Sequence, residues 1–506
     1  MPSSAEPRTG VLSKLAGRLL QLTLVFAPLA FACTRAWAWS ALVILLHIVT
    51  GIWILACWSE GCWPRVQRNV LIAASLLGLY VWLRGFAIAP LLPDAFTAAH
   101  FARITARWPE SVIERTPHGV TELVSGLLGI FLVAMDLGAL ARWRRRFVAT
   151  LVLAGTLTVL LGLAQNATHA PGIYWEKPVH SMPSQFFGPF FHFTSAGAFI
   201  NLTWPLALVM AVYSWNRYRE KKKSLVPALS WSLAAFFILL AHTAHISRFS
   251  PLLAAAGLFL VIVISRPWTI LGRSPRAWVA ATGMAVVLAC CALFVIHRAG
   301  HLRWMASRWS FLEIRPSRAT AAPLPARADW PALMRDDLIV PYSDDNYFLR
   351  DRGACYAFAW HCFARKPLFG FGPGQWISAV SHYATDPTIG TFYLYLQFTH
   401  DDYLQTIVEW GLVGSALAGL IVFECLRNGV RAVFPYVKGR IHFDETQAVT
   451  FGALIALFTV LIQSLVDFPL QIPANAVYAC MLLALCGSSL SSQISPLRSP
   501  FDSHGQ

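Results

Sequence analysis

The chain has 506 residues, 56% hydrophobic and 13% charged, with a formal net charge of +15. A soluble globular domain carries about 25% charged residues, so this composition excludes one. The positive balance would suit nucleic acid, but its confinement to alternate loops points to a membrane protein with no nucleic-acid partner.

Apolar runs of roughly 18 to 25 residues, the length that crosses a bilayer, recur along the chain. They lie near 15–34, 37–58, 69–90, 119–141, 146–165, 194–215, 225–243, 248–265, 277–297, 402–426, 447–466 and 473–490. The pattern predicts an all-α polytopic membrane protein of about 12 transmembrane helices, with one large, partly helical loop before the last three. The expected organisation is an N-terminal membrane bundle over 1–297, a large loop over 298–400, C-terminal membrane helices over 401–490 and a tail over 491–506. Ala30-Phe31-Ala32 imitates a signal-peptidase site, but the run before it reads as an uncleaved first helix.

Basic residues cluster in alternate loops. They are Arg8, Lys14 and Arg18; Arg65 and Arg68; Arg142, Arg144, Arg145 and Arg146; Arg217 through Lys223; Arg273 and Arg276; and Arg427, Arg431, Lys438 and Arg440. The positive-inside rule puts these loops and both termini in the cytoplasm. The 298–400 segment then falls on the outer face, and long loops are exempt from the rule.

Between the fifth and sixth runs, Gly172-Ile-Tyr-Trp-Glu-Lys-Pro178 and Gly188-Pro-Phe-Phe-His-Phe193 are rich in aromatic residues. Tyrosine and tryptophan favour the headgroup level, so this connection is expected at the membrane surface. Between the seventh and eighth, Ala241-His-Thr-Ala-His-Ile-Ser-Arg-Phe-Ser250 is a very short outer turn. Its Arg248 either snorkels to headgroups or grips a phosphate in pairs of hydrogen bonds. His242 and His245 share a helical face, but no third ligand accompanies them and no metal is expected.

In the large loop, 315–346 reads as irregular. Residues 347–366 have apolar positions at helical spacing, and Pro367 ends that helix. Arg350, Asp351, Arg352, His361, Arg365 and Lys366 make it an amphipathic outer helix rather than a span. Cys355 and Cys362 are two helical turns apart, about 10 Å, too far for a disulfide. Then comes Arg365-Lys-Pro-Leu-Phe-Gly-Phe-Gly-Pro-Gly-Gln-Trp376. Glycines 370, 372 and 374 serve tight turns, and Gly372 is also placed to bring an amide to a phosphate. No lysine–serine pair follows, so this is not a nucleotide-binding loop.

Phe398-Thr-His-Asp-Asp-Tyr-Leu-Gln405 opens the tenth run. Asp401 and Asp402 suit the positive end of a helix dipole, and His400 stands beside the helix entrance. Glu409 is about 13 Å further down the axis and should face the protein interior, because a carboxylate in lipid is costly. At the end of the eleventh run, Gln463-Ser-Leu-Val-Asp-Phe-Pro-Leu-Gln-Ile-Pro473 carries Asp467 onto the same face as Arg248 and His400.

Taken in order, Ser247-Arg248, Pro367-Leu-Phe-Gly-Phe-Gly-Pro-Gly374, His400-Asp-Asp-Tyr-Leu-Gln405 with Glu409-Trp-Gly-Leu-Val-Gly414, and Asp467-Phe-Pro-Leu470 resemble the bacterial O-antigen ligase and O-antigen polymerase superfamily. The resemblance covers roughly 180–490, and the first five runs contribute almost nothing to it. It implies an inner-membrane enzyme, without cofactor or metal, that transfers a glycan from an undecaprenyl-pyrophosphate-linked donor to an acceptor hydroxyl at the periplasmic face. It assigns catalytic roles to His400, Arg248 and Arg352, with His400 as general base and the two arginines on the diphosphate. Arg350, Asp401, Asp402, Gly372 and Asp467 are expected to bind substrate. The chain departs from the family at Asp401, where many members have asparagine, and over 188–193. The acceptor stays open between lipid A core, another lipid-linked glycan and a protein hydroxyl. A lipid or solute transporter is the reading from a different class.

Overall fold

A computed structural model describes residues 10–87, 117–176, 186–220, 224–244, 247, 249–265, 355–356, 359–376, 379, 398–437 and 444–488. They form α1 (Val11–Leu29), α2 (Ala36–Ser59), α3 (Arg68–Ala87), α4 (Pro117–Gly138), α5 (Ala141–Ala167), α6 (Phe193–Arg219), α7 (Leu225–Ala244), α8 (Phe249–Ser265), α9 (Asp402–Val437), α10 (Glu445–Gln463) and α11 (Pro473–Ser488). Eleven of the twelve expected spans therefore stand as helices, and eight of them are long and apolar enough to cross a bilayer. The run at 277–297, Arg248, Arg350, Arg352 and most of the large loop lie outside the described residues. Residues 359–365 are helical and give way to a turn at Lys366, as the proline at 367 dictates.

The bundle is organised around α6, against which α5, α7, α8, α10 and α11 all pack. Phe199, Leu202, Trp204 and Leu206 are wholly buried there. Polar side chains on α6 pair inside this core: Trp204 Nε1 donates to Asn201 Oδ1 at 3.1 Å, and Asn201 Nδ2 donates to Ser250 O at 3.1 Å. Small residues bring other helices together, as van der Waals packing in lipid favours. Gly126 and Gly129 of α4 meet Leu46 and Thr50 of α2, and a Cβ at Gly129 would stand 2.2 Å from Thr50 Oγ1. By contrast Ile44, Ile48 and Leu55 of α2 and Leu76, Leu79 and Leu83 of α3 are exposed, as suits side chains facing lipid tails.

The most consequential irregularity is in α9. Gly411 adopts φ 61, ψ −171 inside the helix, a region open essentially to glycine alone. The turn around it loses its own ladder, and backbone groups at this depth must find other partners. The segment 367–372 supplies them. Phe371 N donates to Val408 O (3.0 Å) and Gly372 N to Glu409 O (2.7 Å), while Leu412 N donates to Pro367 O (2.8 Å) and Val413 N to Leu368 O (3.1 Å). Tyr80 Oη of α3 reaches Trp410 O at 2.6 Å. The glycine-rich stretch is therefore a segment running down beside α9, with its amides engaged by that helix.

Two substitutions test this architecture. Gly411→Ala forces a strained backbone and sets a Cβ 2.4 Å from Leu368 O; strain alone costs on the order of 1–3 kcal/mol. Its melting midpoint in detergent, read by fluorescence-detected size exclusion, should fall below that of Gly419→Ala, whose methyl meets nothing within 4 Å. Equal midpoints would contradict a broken α9. Likewise Gly129→Val should overpack the α2–α4 contact by about 1–3 kcal/mol. Gly51→Val, with open space around its Cβ, should lower the midpoint far less.

Candidate active site

His400 sits at φ +56 on the junction between the loop and α9, a conformation unusual for a side-chain-bearing residue. Its neighbours hold it there. Thr399 Oγ1 donates to Asp401 O at 2.5 Å and accepts from Asp401 N at 3.2 Å. Tyr356 Oη donates to His400 O at 3.1 Å. Asp401 is the N-cap of α9: its Oδ1 accepts from Tyr403 N at 2.8 Å and Leu404 N at 2.9 Å. Burial pushes this carboxyl above the ordinary carboxylate value, and the two amide hydrogen bonds pull the other way.

Asp402 is buried and faces the end of α10. Its Oδ2 accepts from Ser464 Oγ (2.9 Å) and Leu470 N (3.0 Å), and its own N–H donates to Ser464 O (2.9 Å). It fastens the entrance of α9 to the turn that carries Asp467. That turn includes the one-turn helix Pro469–Gln471, which begins on its proline.

Here the segments converge. The His400 side chain retains 25% exposure, and its Nδ1 stands 3.9 Å from Asp467 Oδ1. That is an ion-pair distance, longer than a hydrogen bond, and such contacts often tighten only when substrate binds. The imidazole meets Phe468 edge-on at 5.0 Å between ring centres. Phe398 stacks on Phe468 at 4.2 Å, and His192, at the entrance of α6, lies 5.8 Å from it. His192 belongs to the aromatic stretch 188–193, so that connection reaches the site as well.

The short turn before α8 joins through α10. Ser247 Oγ and Ser250 Oγ are 3.0 Å apart, and Ser250 Oγ donates to Gln463 Oε1 at 3.3 Å. Gln463 Nε2 donates to Thr194 O at 3.0 Å and approaches Asp467 Oδ2 at 3.5 Å. The residues on either side of position 248 are thus linked, by way of Gln463, to the carboxylate facing His400.

Glu409 is buried, as its depth demands, and its carboxylate faces the glycine-rich segment. Oε2 accepts from Gly374 N at 2.8 Å, and Oε1 accepts from Trp376 N at 3.2 Å and Gln405 Nε2 at 3.1 Å. Gln405 Oε1 in turn accepts from Thr399 N at 3.4 Å. The amide of Gly372, expected at a phosphate, is instead spent on Glu409 O, and Gly370 N on Lys366 O. In this structure these glycines shape the seat on α9. Cys355 and Cys362 are buried beside Phe371, Trp376 and Val408, and burial pushes the Cys362 thiol up to about 12. They act as apolar filler.

The sequence reading passed over three contributors. Gln463 was visible only as part of a motif. Tyr80 and Arg84 lie in a run that carries no motif; Tyr80 Oη also reaches Phe369 O at 2.9 Å, and Arg84 Nη2 donates to Gly370 O at 2.9 Å. An arginine near the end of an apolar helix was the one available signal. Arg248, Arg350 and Arg352 lie outside the described residues; among those described, His400, Asp467, Asp401, Asp402 and their supports come together.

A comparison with curated proteins found no match. A family model described as O-antigen ligase matches residues 233–419, a stretch that opens in α7, spans the Ser247 turn and the glycine-rich segment, and closes in α9 beyond its break. Over that stretch the chain is similar to the O-antigen ligase family, which supports the resemblance read from its motifs.

Proposed function

We propose that the chain transfers a glycan from a polyprenyl-pyrophosphate-linked donor to an acceptor hydroxyl, with inversion at the anomeric carbon. The observation that carries this reading is the partly exposed His400 imidazole facing the Asp467 carboxylate at 3.9 Å, where the family's segments meet.

The chemistry follows from that pair. Pyrophosphate is a good leaving group, so the demands are to activate a hydroxyl and to neutralise charge on the departing diphosphate. His400 takes the acceptor's proton on the ring nitrogen remote from Asp467 as the acceptor oxygen attacks the anomeric carbon. The bond from that carbon to the phosphate oxygen breaks, and polyprenyl pyrophosphate leaves with the electron pair. Asp467 stabilises the imidazolium, which returns its proton to water afterwards. General-base catalysis of this kind contributes typically 10²–10⁴-fold. Arg248 and Arg352, with Arg350 as alternate to the latter, are proposed to clamp the diphosphate, where fixed positive charge has most effect. Asp401 and Asp402 serve by fixing the loop that presents His400, and Gly372 by seating the segment beside it.

We place the His400 end at the periplasmic face of a bacterial inner membrane. Support comes from the opposite end, where Arg145 pairs with Glu445 at 2.5 Å and the cluster Arg142 to Arg146 gathers, as expected of a cytoplasmic face. The acceptor is proposed to be a lipid A core sugar or another lipid-linked glycan, ahead of a protein hydroxyl.

Purified protein in nanodiscs, given an undecaprenyl-pyrophosphate-linked oligosaccharide, should release undecaprenyl pyrophosphate, followed by mass spectrometry. His400→Ala should lower the rate by about 100-fold or more, and Asp467→Asn by about tenfold or more. Release that needs added lipid A core marks a ligase; release without it, together with longer lipid-linked glycans, marks a polymerase. A folded His400→Ala protein that turns over as fast as wild type would sink the mechanism.

A further inference from the structure

The α9 break has a support that lies outside the family segment altogether. Tyr80 and Arg84 are one helical turn apart on α3, and both reach carbonyl oxygens of the glycine-rich segment. Tyr80 Oη has one proton and two acceptors, Phe369 O on the segment and Trp410 O on α9, so it straddles the joint between them. Its ring lies against Gly414, where a Cβ would stand 2.6 Å from Tyr80 Cε1. The spacing of the two glycines in Glu409-Trp-Gly-Leu-Val-Gly414 now has a physical reason. Gly411 breaks the helix and Gly414 clears the space for the tyrosine that bridges the break.

From that joint two routes lead to His400. The first runs along α9: Glu409 grips Gly374 N and Trp376 N, Gln405 bonds Glu409, and Gln405 Oε1 accepts from Thr399 N. The second runs through the small apolar cluster of Phe371, Trp376, Val408 and Cys355, against which Tyr356 packs; Tyr356 Oη holds the carbonyl of His400 itself. Both routes end on the backbone at 399–400, where His400 holds a left-handed conformation that persists only because its surroundings over-determine it. Loosening the segment at its root removes part of that determination.

We infer that Tyr80 and Arg84 are positioning residues for His400, acting through the segment 367–376 seated on the α9 break. The inference rests on the reading that His400 carries the transfer, and it adds α3 to the machinery. Neither residue touches substrate; each fixes the frame in which the imidazole meets Asp467. A small displacement from a distant change can cost about 10²-fold in rate, so the effect should be on kcat with KM nearly unchanged.

The test uses the full chain in nanodiscs with Tyr80→Phe, which keeps the ring on Gly414 and deletes the hydroxyl, and Arg84→Gln, with Arg84→Lys as the conservative replacement. One readout is the rate at which diethyl pyrocarbonate modifies His400, resolved by peptide mass spectrometry against His47 on α2. The other is the kcat and KM of transfer. Expected for Tyr80→Phe and Arg84→Gln is a several-fold change in His400 labelling with His47 unchanged, and a fall in kcat of about 10- to 100-fold. Arg84→Lys should restore part of both. Should Tyr80→Phe fail to fold, Glu409→Gln weakens the same seat from the α9 side and carries the same expectation. Unchanged His400 labelling, or His400 and His47 changing together, would overturn the inference. A labelling response in protein whose wild type transfers nothing would preserve the coupling of α3 to His400 and fail the transfer reading instead.

Discussion

A helix that breaks inside a membrane leaves backbone amides and carbonyls with no water to bond, and most of what surrounds the site in this protein follows from how α9 meets that constraint. The break at Gly411 frees groups that a continuous helix would have paired internally. Pro367, Leu368, Phe371 and Gly372 take up four of them and Tyr80 a fifth. A stretch of chain is thereby obliged to lie against α9, and Glu409 becomes affordable at that depth because the same stretch presents the amides of Gly374 and Trp376 to it. The break, the glycine-rich segment and the buried carboxylate form one unit, and removing any one leaves the other two with unpaired polar groups.

That unit lies directly below His400 along the α9 axis, and the division of labour among the acidic residues reflects it. Asp401 caps the helix, Asp402 ties the helix to α10, and Glu409 holds the segment. Each spends its charge on backbone amides, a hydroxyl or the Gln405 side-chain amide. Asp467 alone among them turns toward the imidazole. A histidine held between a carboxylate and the edge of Phe468, with a quarter of its side chain open, has the exposure a base needs and the restraint a base benefits from.

The fold was almost wholly legible, because a transmembrane helix is specified by length and apolarity, and a run such as 194–215 or 447–466 has no alternative structure in a bilayer. The candidate site was legible where a polar residue sits in or beside an apolar run: His400, Asp467 and Glu409 each declare themselves as groups whose burial needs a reason. The seat was not. Glycines in Pro-Leu-Phe-Gly-Phe-Gly-Pro-Gly suit a turn or a phosphate cradle equally well in sequence, and the choice depends on whether another backbone offers acceptors at the right spacing. Val408 O and Glu409 O become such acceptors only because Gly411 breaks the helix, and a glycine in a membrane helix is too common to announce a break. Tyr80 was hidden for a related reason: its role is to donate to carbonyls of Phe369 and Trp410, and a carbonyl carries no side-chain signature. Contacts from side chain to distant backbone are set by tertiary packing alone.

Broken helices are also the hallmark of transporters, where unwound backbone near mid-membrane lines a cavity and holds ions or substrate. The break in α9 differs in the respect that matters. Its carbonyls at 408, 409 and 410 and its amides at 412 and 413 are all engaged by protein groups, so they offer nothing to a solute passing by. Arg84, which in a transport path would be a ligand, donates to Gly370 O. His400 is left partly open at the end of α9, facing a carboxylate and bordered by Phe398, Phe468 and His192. A sealed break below an open histidine is the arrangement of a rigid mount under a reactive group at a membrane surface. It suits the proposed chemistry on a lipid-linked substrate, whose tail would stay in the bilayer while its glycan meets the bundle end.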